Sequence, residues 1–270
     1  MSSSAASQLF SVIGKNVLVT GGSRGIGLMI AQGFVNAGAN VLLTSRDEAA
    51  CAKAAQSLQC QHVASNVSTR EGCKALADFV SKVFDGKLHV LVNNAGTSWG
   101  EPLERESGRA NWGWDKVLDL NVKGVFYLTR ECIPMLENSG SLEDPSRIIN
   151  IGSVTGMVPQ EAPTHAYDIS KAAVHQLTKK LSSDLAKKNI TVNALAPGFV
   201  PSRMSDGLAT WGATNEQIAS KIPLGRMGNG DDMAGACIYF ASKAGSWCTG
   251  VILNVDGGTV GAMQIPLSSL

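Results

Sequence analysis

The stretch NVLVTGGSRGIG, residues 16–27, combines the pattern of a buried strand with a glycine-rich turn. Gly21, Gly25 and Gly27 follow the strand, and the run 28–39 then has the composition of a helix. Glycines at a helix start let a pyrophosphate reach the backbone N–H groups and the positive end of the helix dipole. The stretch predicts a strand–turn–helix unit that binds a dinucleotide, although G-x-x-x-G-x-G also suits a tight turn that binds nothing.

Further short runs of the same apolar kind recur along the chain and alternate with longer helical stretches. The candidate strands are NVLVT (16–20), NVLLT (40–44), HVA (62–64), LHVLVN (88–93), RIINI (147–151), ITVNALA (190–196) and VILNV (251–255). Continuously apolar runs are typical of strands buried on both faces of a parallel sheet. The alternation predicts a single α/β domain, a doubly wound Rossmann-type sheet of seven parallel strands with helices on both faces.

Composition narrows the classes of protein that this chain can be. It has 270 residues, 44% of them hydrophobic and 17% charged, and no run of apolar residues is long enough to cross a bilayer. The formal net charge of +1, with Lys and Arg scattered, offers no footprint for nucleic acid or for an anionic membrane surface. We therefore expect a small-molecule partner.

The six cysteines indicate where the protein works, and two segments are expected to lie outside the sheet. The cysteines form no Cys-x-x-Cys pair, which predicts no metal site, a reducing compartment and a cytoplasmic location. The opening MSSSAASQLF lacks the basic and apolar regions of a signal peptide, so residues 1–13 are expected to be a mobile tail. Residues 200–229 are rich in Gly and Pro and are expected to form a substrate lid on the single domain, which spans 1–270.

The end of the second strand, Thr44-Ser45-Arg46, decides which dinucleotide the site prefers. A cation at this position favours a ribose 2′-phosphate, whereas a carboxylate favours the free 2′-hydroxyl. Arg46 and Arg24 of the glycine loop could hold one phosphate together, which predicts NADP(H) over NAD(H). Asp47 could instead approach the ribose, but we expect its carboxylate to cap the following helix.

The sequence HAYDISK (165–171) places a phenol and an ammonium four positions apart. Tyr167 and Lys171 would share one face of a helix. A cation beside a phenol favours phenolate, so the sequence predicts a lowered pKa for Tyr167. Tyr167 could then donate a proton to a developing alkoxide, with the Ser153 hydroxyl bonding the same oxygen. The alternative is an ordinary pair on a helix surface and a loop serine.

These motifs occur in a familiar order: TGGSRGIG (20–27), NNAG (93–96), NVKG (121–124), Ser153, Tyr-x-x-x-Lys (167–171) and APG (196–198). In this order the chain resembles the short-chain dehydrogenase/reductase family over about residues 14–260. The resemblance implies hydride transfer to or from a nicotinamide and a homo-oligomer, often a tetramer. It implies catalytic roles for Asn121, Ser153, Tyr167 and Lys171, with Asn121 organising a proton-carrying water chain and Lys171 also holding the nicotinamide ribose.

The motifs together also give the residues expected to bind the coenzyme. Asn66 stands where the family often has an aspartate for the adenine amino group, and Ser202 stands where threonine is frequent. The full expected set is Gly21, Ser23, Arg24, Gly25, Ile26, Gly27, Ser45, Arg46, Asn66, Val67, Asn93, Ala95, Gly96, Tyr167, Lys171, Pro197, Gly198, Val200 and Ser202.

The substrate side of the site is expected to be apolar and to suit a hydrophobic ketone or a 3-oxoacyl chain. The expected lining is Trp99, Val154, Met157, His165, Phe199, Met204 and Trp211. The sequence therefore predicts an NADPH-dependent carbonyl reductase, closest to the 3-oxoacyl and related ketone reductases. Two alternatives stay open: an NAD-dependent alcohol or sugar dehydrogenase, and a non-catalytic redox sensor that binds NADP(H).

Overall fold

The computed structural model of this chain describes residues 5–107, 112–202 and 214–262. Its described residues form a seven-stranded parallel sheet of order β3-β2-β1-β4-β5-β6-β7. The strands are β1 (Asn16–Thr20), β2 (Asn40–Ser45), β3 (Gln61–Ala64), β4 (Val90–Asn93), β5 (Ser146–Ile151), β6 (Ile190–Pro197) and β7 (Ile252–Val255). The predicted fold class and all seven predicted strands are confirmed.

Helices connect the strands. They are α1 (Ala5–Leu9), α2 (Gly25–Asn36), α3 (Glu48–Leu58), α4 (Arg70–Val83), α5 (Trp112–Leu118), α6 (Gly124–Glu137), α7 (His165–Leu185), α8 (Asn215–Lys221) and α9 (Gly230–Ala241). A π-helical turn, Asp119–Lys123, joins α5 to α6, and short 3-10 turns lie at Val154–Gly156, Ala186–Lys188 and Lys243–Gly245. Among the described residues no helix is both long and apolar enough to span a membrane.

Each face of the sheet is covered by its own hydrophobic core. Val17, Val19 and Leu43 point into a core built with α2, α3 and α9. Leu18 and Leu42 point the other way, into a core built with α4, α6 and α7. Because successive side chains of a strand face opposite sides, two buried faces require a strand that is apolar at every position. This requirement explains the continuous apolar runs of the sequence.

The N-terminal segment contributes to this packing. Within residues 1–13, α1 forms and Val12 is buried to 1% exposure in the core of α2, α3 and α9. The predicted tail therefore holds one core residue, and the mobility of the segment stays a prediction.

The order of the strands determines where a site can form. Because all strands are parallel, their carboxyl ends lie at one edge of the sheet, and the order reverses between β1 and β4. In such sheets ligands bind in the crevice at this switch point, outside the carboxyl ends of the strands. The loops after β1, β2, β4, β5 and β6 are therefore the ones that meet there.

Candidate active site

A cleft of about 1170 Å³ opens at the carboxyl edge of the sheet. It is lined by the glycine loop after β1 and by the residues that follow β2, β4, β5 and β6. Tyr167 and Lys171 of α7 also line it. The structure thus brings the predicted dinucleotide loop and the predicted catalytic groups into one cavity.

The glycine loop is a tight turn with little room for side chains. Gly21 and Gly25 have φ of +66° and +54°, a region that favours glycine. A Cβ on Gly27 would lie 2.3 Å from the carbonyl oxygen of Gly21. The absence of a side chain at Gly27 therefore lets the turn pack closely against the start of α2, and both line the cleft where a pyrophosphate would bind.

The loop after β4 holds the glycine turn in place. The Thr20 hydroxyl oxygen accepts hydrogen bonds from the backbone N–H of Asn94 (3.0 Å) and Ala95 (2.9 Å). The Asn94 side chain donates to the carbonyl oxygens of Thr20 (2.8 Å) and Gly21 (3.3 Å). Asn94 itself lines the cleft. The NNAG motif therefore fixes the loop that faces the coenzyme region.

The end of β2 carries cations and hydroxyls. Arg24 and Arg46 both line the cleft with Ser23 and Ser45, and the Ser23 hydroxyl donates to the Ser45 hydroxyl oxygen at 3.0 Å. This donor set suits a ribose 2′-phosphate. Asp47 also lines the cleft, but its carboxylate accepts from the N–H of Ala50 at 3.0 Å and caps α3. The predicted capping role of Asp47 is confirmed.

Ser153 and Tyr167 both line the other end of the cleft. Ser153 follows β5 and is 7% exposed. Tyr167 and Lys171 lie one helical turn apart on α7, with the Lys171 Nζ 5.5 Å from the centroid of the phenol ring. The predicted arrangement of these side chains on one helix face is present.

The predicted lowering of the Tyr167 pKa is wrong for the protein without coenzyme. Burial raises the pKa of Tyr167 to about 12, and the hydrogen bond from Ser153 only partly opposes this effect. Desolvation penalises the phenolate, and the Lys171 ammonium is directed elsewhere: its Nζ donates to the carbonyl oxygen of Ile151 at 2.8 Å. Tyr167 is therefore held as a protonated phenol.

Lys171 is only 6% exposed. Burial lowers its pKa to about 8, because the charged form loses its hydration. The backbone of Gly96 lies close by, since a Cβ on Gly96 would be 3.7 Å from the Lys171 Nζ and 3.3 Å from the Asn121 Oδ1. Gly96, in the loop after β4, therefore lies close to both Lys171 and Asn121.

Asn121 lies behind the cleft wall in the π-helical turn and is 1% exposed. Its Oδ1 accepts from the N–H of Thr97 and its Nδ2 donates to the Thr97 carbonyl oxygen, both at 2.9 Å. Nδ2 also donates to the Ser170 hydroxyl at 2.9 Å, and that hydroxyl donates to the Tyr167 carbonyl oxygen at 2.6 Å. Asn121 therefore connects the loop after β4 to the start of α7.

Most of the expected coenzyme residues line the cleft, but two do not. Asn66 is exposed and its Oδ1 accepts from the Ser68 N–H (3.2 Å) and hydroxyl (2.7 Å), because the chain turns there toward α4. Asn93 is 4% exposed and its Nδ2 donates to Thr129 and Asn150, because its side chain points into the sheet interior. Seventeen expected residues do line the cleft: Gly21, Ser23, Arg24, Gly25, Ile26, Gly27, Ser45, Arg46, Val67, Ala95, Gly96, Tyr167, Lys171, Pro197, Gly198, Val200 and Ser202.

On the substrate side, Trp99, Val154 and Phe199 line the cleft as expected. Met157 is 43% exposed and does not line it, and neither does His165 at the first position of α7. Trp99 packs edge-to-face against Trp112 at 4.8 Å between ring centroids. Met204 and Trp211 lie outside the described residues, as does part of the predicted lid, 203–213.

Several polar residues of the cleft were missed by the sequence reasoning. Thr155 and Gln160 follow β5, and Thr164 precedes α7; the Gln160 amide donates to Thr164 (2.7 Å) and to Asp168 (3.1 Å). The hydrogen bonds of Gln160 tie the middle of the long connection between Ser153 and Tyr167 to the start of α7. The length of that connection was the available signal, but periodicity gives no direction for side chains of a loop. The other missed lining residues are Thr44, Ser65, Asn94, Thr97, Ser98, Gly100, Leu120, Ile151, Gly152 and Ala162.

Comparison with known proteins gives a consistent result. Residues 21–260 match the family model described as enoyl-(acyl carrier protein) reductase, a short-chain dehydrogenase model. The chain is 44% identical over 253 residues to the rhamnolipids biosynthesis 3-oxoacyl-(acyl-carrier-protein) reductase of Pseudomonas aeruginosa, covering 92% of this chain and 97% of that protein. It is 36% identical over 252 residues to a 3-oxoacyl-(acyl-carrier-protein) reductase of Staphylococcus aureus, covering 90% and 97%. A solved structure, the Pseudomonas aeruginosa RhlG/NADP active-site complex, aligns with a TM-score of 0.88 at 43% identity, covering 94% of this chain and 99% of that one.

Proposed function

Because this chain belongs to the short-chain dehydrogenase/reductase family, we propose that it is an NADPH-dependent reductase of 3-oxoacyl or closely related ketone substrates. The observation that carries the proposal is that Ser153, Tyr167 and Lys171 line one cleft with the glycine loop and two arginines. Similarity to 3-oxoacyl reductases supports the substrate class, and the NADP complex of a similar protein supports the coenzyme.

The residues of the cleft fit NADP(H). The glycine loop would hold the pyrophosphate at the start of α2, whose first residues line the cleft. Arg24, Arg46, Ser23 and Ser45 would hold the 2′-phosphate. When bound, the coenzyme supplies the hydride.

The chain itself supplies the proton and the stabilisation of charge. Tyr167 enters the reaction protonated, because burial holds its pKa near 12, and it donates its proton to the oxygen of the reduced carbonyl. The Ser153 hydroxyl donates a hydrogen bond to the same oxygen as negative charge develops there. Lys171, buried beside the phenol, holds a positive charge below about pH 8 and favours the phenolate that remains.

The apolar surfaces of Trp99, Val154 and Phe199 form the part of the cleft that would receive an acyl chain. The direct experiment follows the NADPH absorbance with 3-oxoacyl thioesters of increasing chain length. We expect oxidation of NADPH in each case and a kcat/KM that rises with length. Tight binding of NADPH with no turnover on these and other ketones would contradict the proposal and favour a redox sensor.

Tyr167→Phe removes the proton donor and leaves the shape of the ring. We expect kcat to fall by about 100-fold or more, the range typical of general acid catalysis, with the Kd for NADPH changed little. Steady-state kinetics and fluorescence titration of NADPH measure the two effects. Tyr239→Phe is the matched control, because its hydroxyl pairs with the Cys248 Sγ at 3.2 Å on another part of the molecule. Equal turnover of Tyr167→Phe and the wild type would rule out the proposed mechanism.

We also propose that the protein works in the cytoplasm as one catalytic domain assembled into a dimer or tetramer. All six cysteines are free, which suits a reducing compartment. Trp247 is 97% exposed and Trp112 is 44% exposed, and exposed rings of this size suit a contact with another subunit. Sedimentation equilibrium of the wild type and of Trp247→Ser measures the mass of the assembly, and a monomeric wild type would contradict the assembly.

A further inference from the structure

The hydroxyl of Thr155 bonds to the Ser153 hydroxyl from a position next to the cleft. Ser153 has an extended backbone and caps the 3-10 turn Val154–Gly156. Its Oγ accepts from the Thr155 N–H at 3.2 Å and from the Thr155 hydroxyl at 3.1 Å. Thr155 is half-buried and lines the cleft. One threonine thus gives two hydrogen bonds to the oxygen of Ser153.

A serine hydroxyl can accept two hydrogen bonds and donate one. In this structure both acceptor positions of Ser153 are taken by Thr155. The remaining capacity of Ser153 is its own O–H, and Tyr167 lines the same cleft. Toward the phenol and the cleft, Ser153 is therefore left to act as a donor, in keeping with its lowering effect on the pKa of Tyr167.

This direction matters for a reductase. A Ser153 with a free lone pair could accept the phenolic proton, and Tyr167 would then have to break that bond before it could protonate the substrate. A Ser153 that only donates leaves the Tyr167 proton available for the substrate oxygen. It also presents a donor where negative charge develops in the reaction.

We propose that Thr155 is a positioning residue for the reduction, and that its hydroxyl keeps Ser153 a hydrogen-bond donor, directed to the phenol oxygen before substrate binds and to the substrate oxygen during reduction. The inference rests on the proposed function, since it assigns Thr155 a part in the same site. Thr155 acts through Ser153 and needs no contact with the reacting atoms.

Thr155→Val tests this role, because valine keeps the branched shape and the backbone N–H and removes only the hydroxyl. We expect kcat for ketone reduction to fall about 3- to 10-fold, the range for one neutral hydrogen bond, with KM changed less than about twofold. In the reverse direction, the pH profile of alcohol oxidation should shift to higher pH, because Ser153 no longer donates reliably to the phenolate. Thr155→Ser, which restores the hydroxyl, should return both values toward the wild type.

A second measurement needs no turnover and separates this proposal from the proposed function. The chain has three tyrosines, so labelling them with ¹³Cζ gives three NMR signals, and Tyr167→Phe identifies one of them. At neutral pH we expect the Tyr167 signal to move in Thr155→Val and to return in Thr155→Ser, even if the chosen ketone is not a substrate. An unchanged Tyr167 signal and unchanged kinetics in Thr155→Val would overturn the proposal. Equal losses in the Val and Ser variants would overturn it as well, since the hydroxyl would then not be responsible.

Discussion

Lys171 is buried beside Tyr167 on α7, and its Nζ donates to the carbonyl oxygen of Ile151. Burial shifts the pKa values of the two side chains in opposite directions. It raises the pKa of Tyr167 to about 12 and lowers the pKa of Lys171 to about 8. Desolvation disfavours the charged form of each group, so both pKa values move toward the neutral form. At neutral pH the free protein therefore holds a phenol and an ammonium.

The two values predict an unusual pH dependence for reduction. Tyr167 stays protonated throughout the accessible range, so a loss of rate at moderate pH reports on Lys171. Because the pKa of Lys171 is lowered, its charge is present below about pH 8 and is lost above it. We expect kcat for ketone reduction to be flat below about pH 7 and to fall above about pH 8.

Measurements of kcat from pH 6 to 10 at saturating NADPH check this expectation. Lys171→Met is the control, and its low rate should lack the decline because the titrating group is absent. A wild-type rate that stays constant up to pH 10 would show that the charge of Lys171 is not needed.

The position of Arg46 predicts that the protein prefers NADPH to NADH. Arg46→Glu places a negative charge beside the expected 2′-phosphate, and we expect kcat/KM for NADPH to fall about 10- to 100-fold, as loss of a charge-assisted hydrogen bond implies. The value for NADH should change little. Asp47→Asn should leave the ratio of the two coenzymes unchanged, because asparagine also caps a helix. If Arg46→Glu kept the preference of the wild type, the phosphate site would have to be elsewhere.

At the scale of elements, the turn between β1 and α2 leaves no room for a side chain at Gly27. A Cβ on Gly27 would lie 2.3 Å from the Gly21 carbonyl oxygen, so Gly27→Ala must displace the backbone. We expect a loss of stability of about 1–3 kcal/mol, as for overpacked sites, and at least a tenfold weaker binding of NADPH.

The control for this substitution lies in α9. Gly235 is exposed, and a Cβ there would meet nothing within 4 Å, so Gly235→Ala should stabilise by up to about 1 kcal/mol. Urea unfolding and NADPH titration of both variants compare the two glycines. A Gly27→Ala protein with wild-type affinity would show that the loop can relax and that its geometry is not needed for binding.

The same elements show what a sequence can and cannot predict. The seven strands were predictable because burial on both faces leaves a continuous apolar signal. The capping role of Asp47 was predictable because the residue stands directly before a helical run. The π-helical turn around Asn121 was not, since an extra residue in a helical connection leaves no periodic mark. Nor was the raised pKa of Tyr167, because burial depends on residues such as Ser153 that are distant in sequence and line the same cleft.

At the scale of the whole molecule, the cleft is assembled from the carboxyl ends of six strands, β1 to β6, with Ser65 and Val67 following β3 and Pro197 ending β6. A coenzyme that spans these ends would be held by loops from most of the sheet, and it would bind the folded chain only. At a concentration 100 times its Kd, NADPH should then stabilise the protein by about 2.7 kcal/mol. For a chain of this size that corresponds to a rise in Tm of roughly 5–10 °C.

Calorimetry with equal concentrations of NADPH and NADH tests this prediction. We expect the larger rise with NADPH, and Arg46→Glu should remove the difference between the two coenzymes while leaving the Tm of the free protein nearly unchanged. Equal shifts with both coenzymes in the wild type would contradict a preference based on the 2′-phosphate.

The π-helical turn Asp119–Lys123 makes the chain sensitive to the deletion of a single residue at this point. Such a turn holds one residue more than the α-helical path between the same points. Removal of a single amino acid here would let α5 and α6 merge into one regular rod and would rotate position 121 by about 100°. The side-chain amide of Asn121, which joins Thr97 to Ser170, would then face away from both residues. The extra residue of the π-helical turn is therefore as necessary for these hydrogen bonds as Asn121 itself.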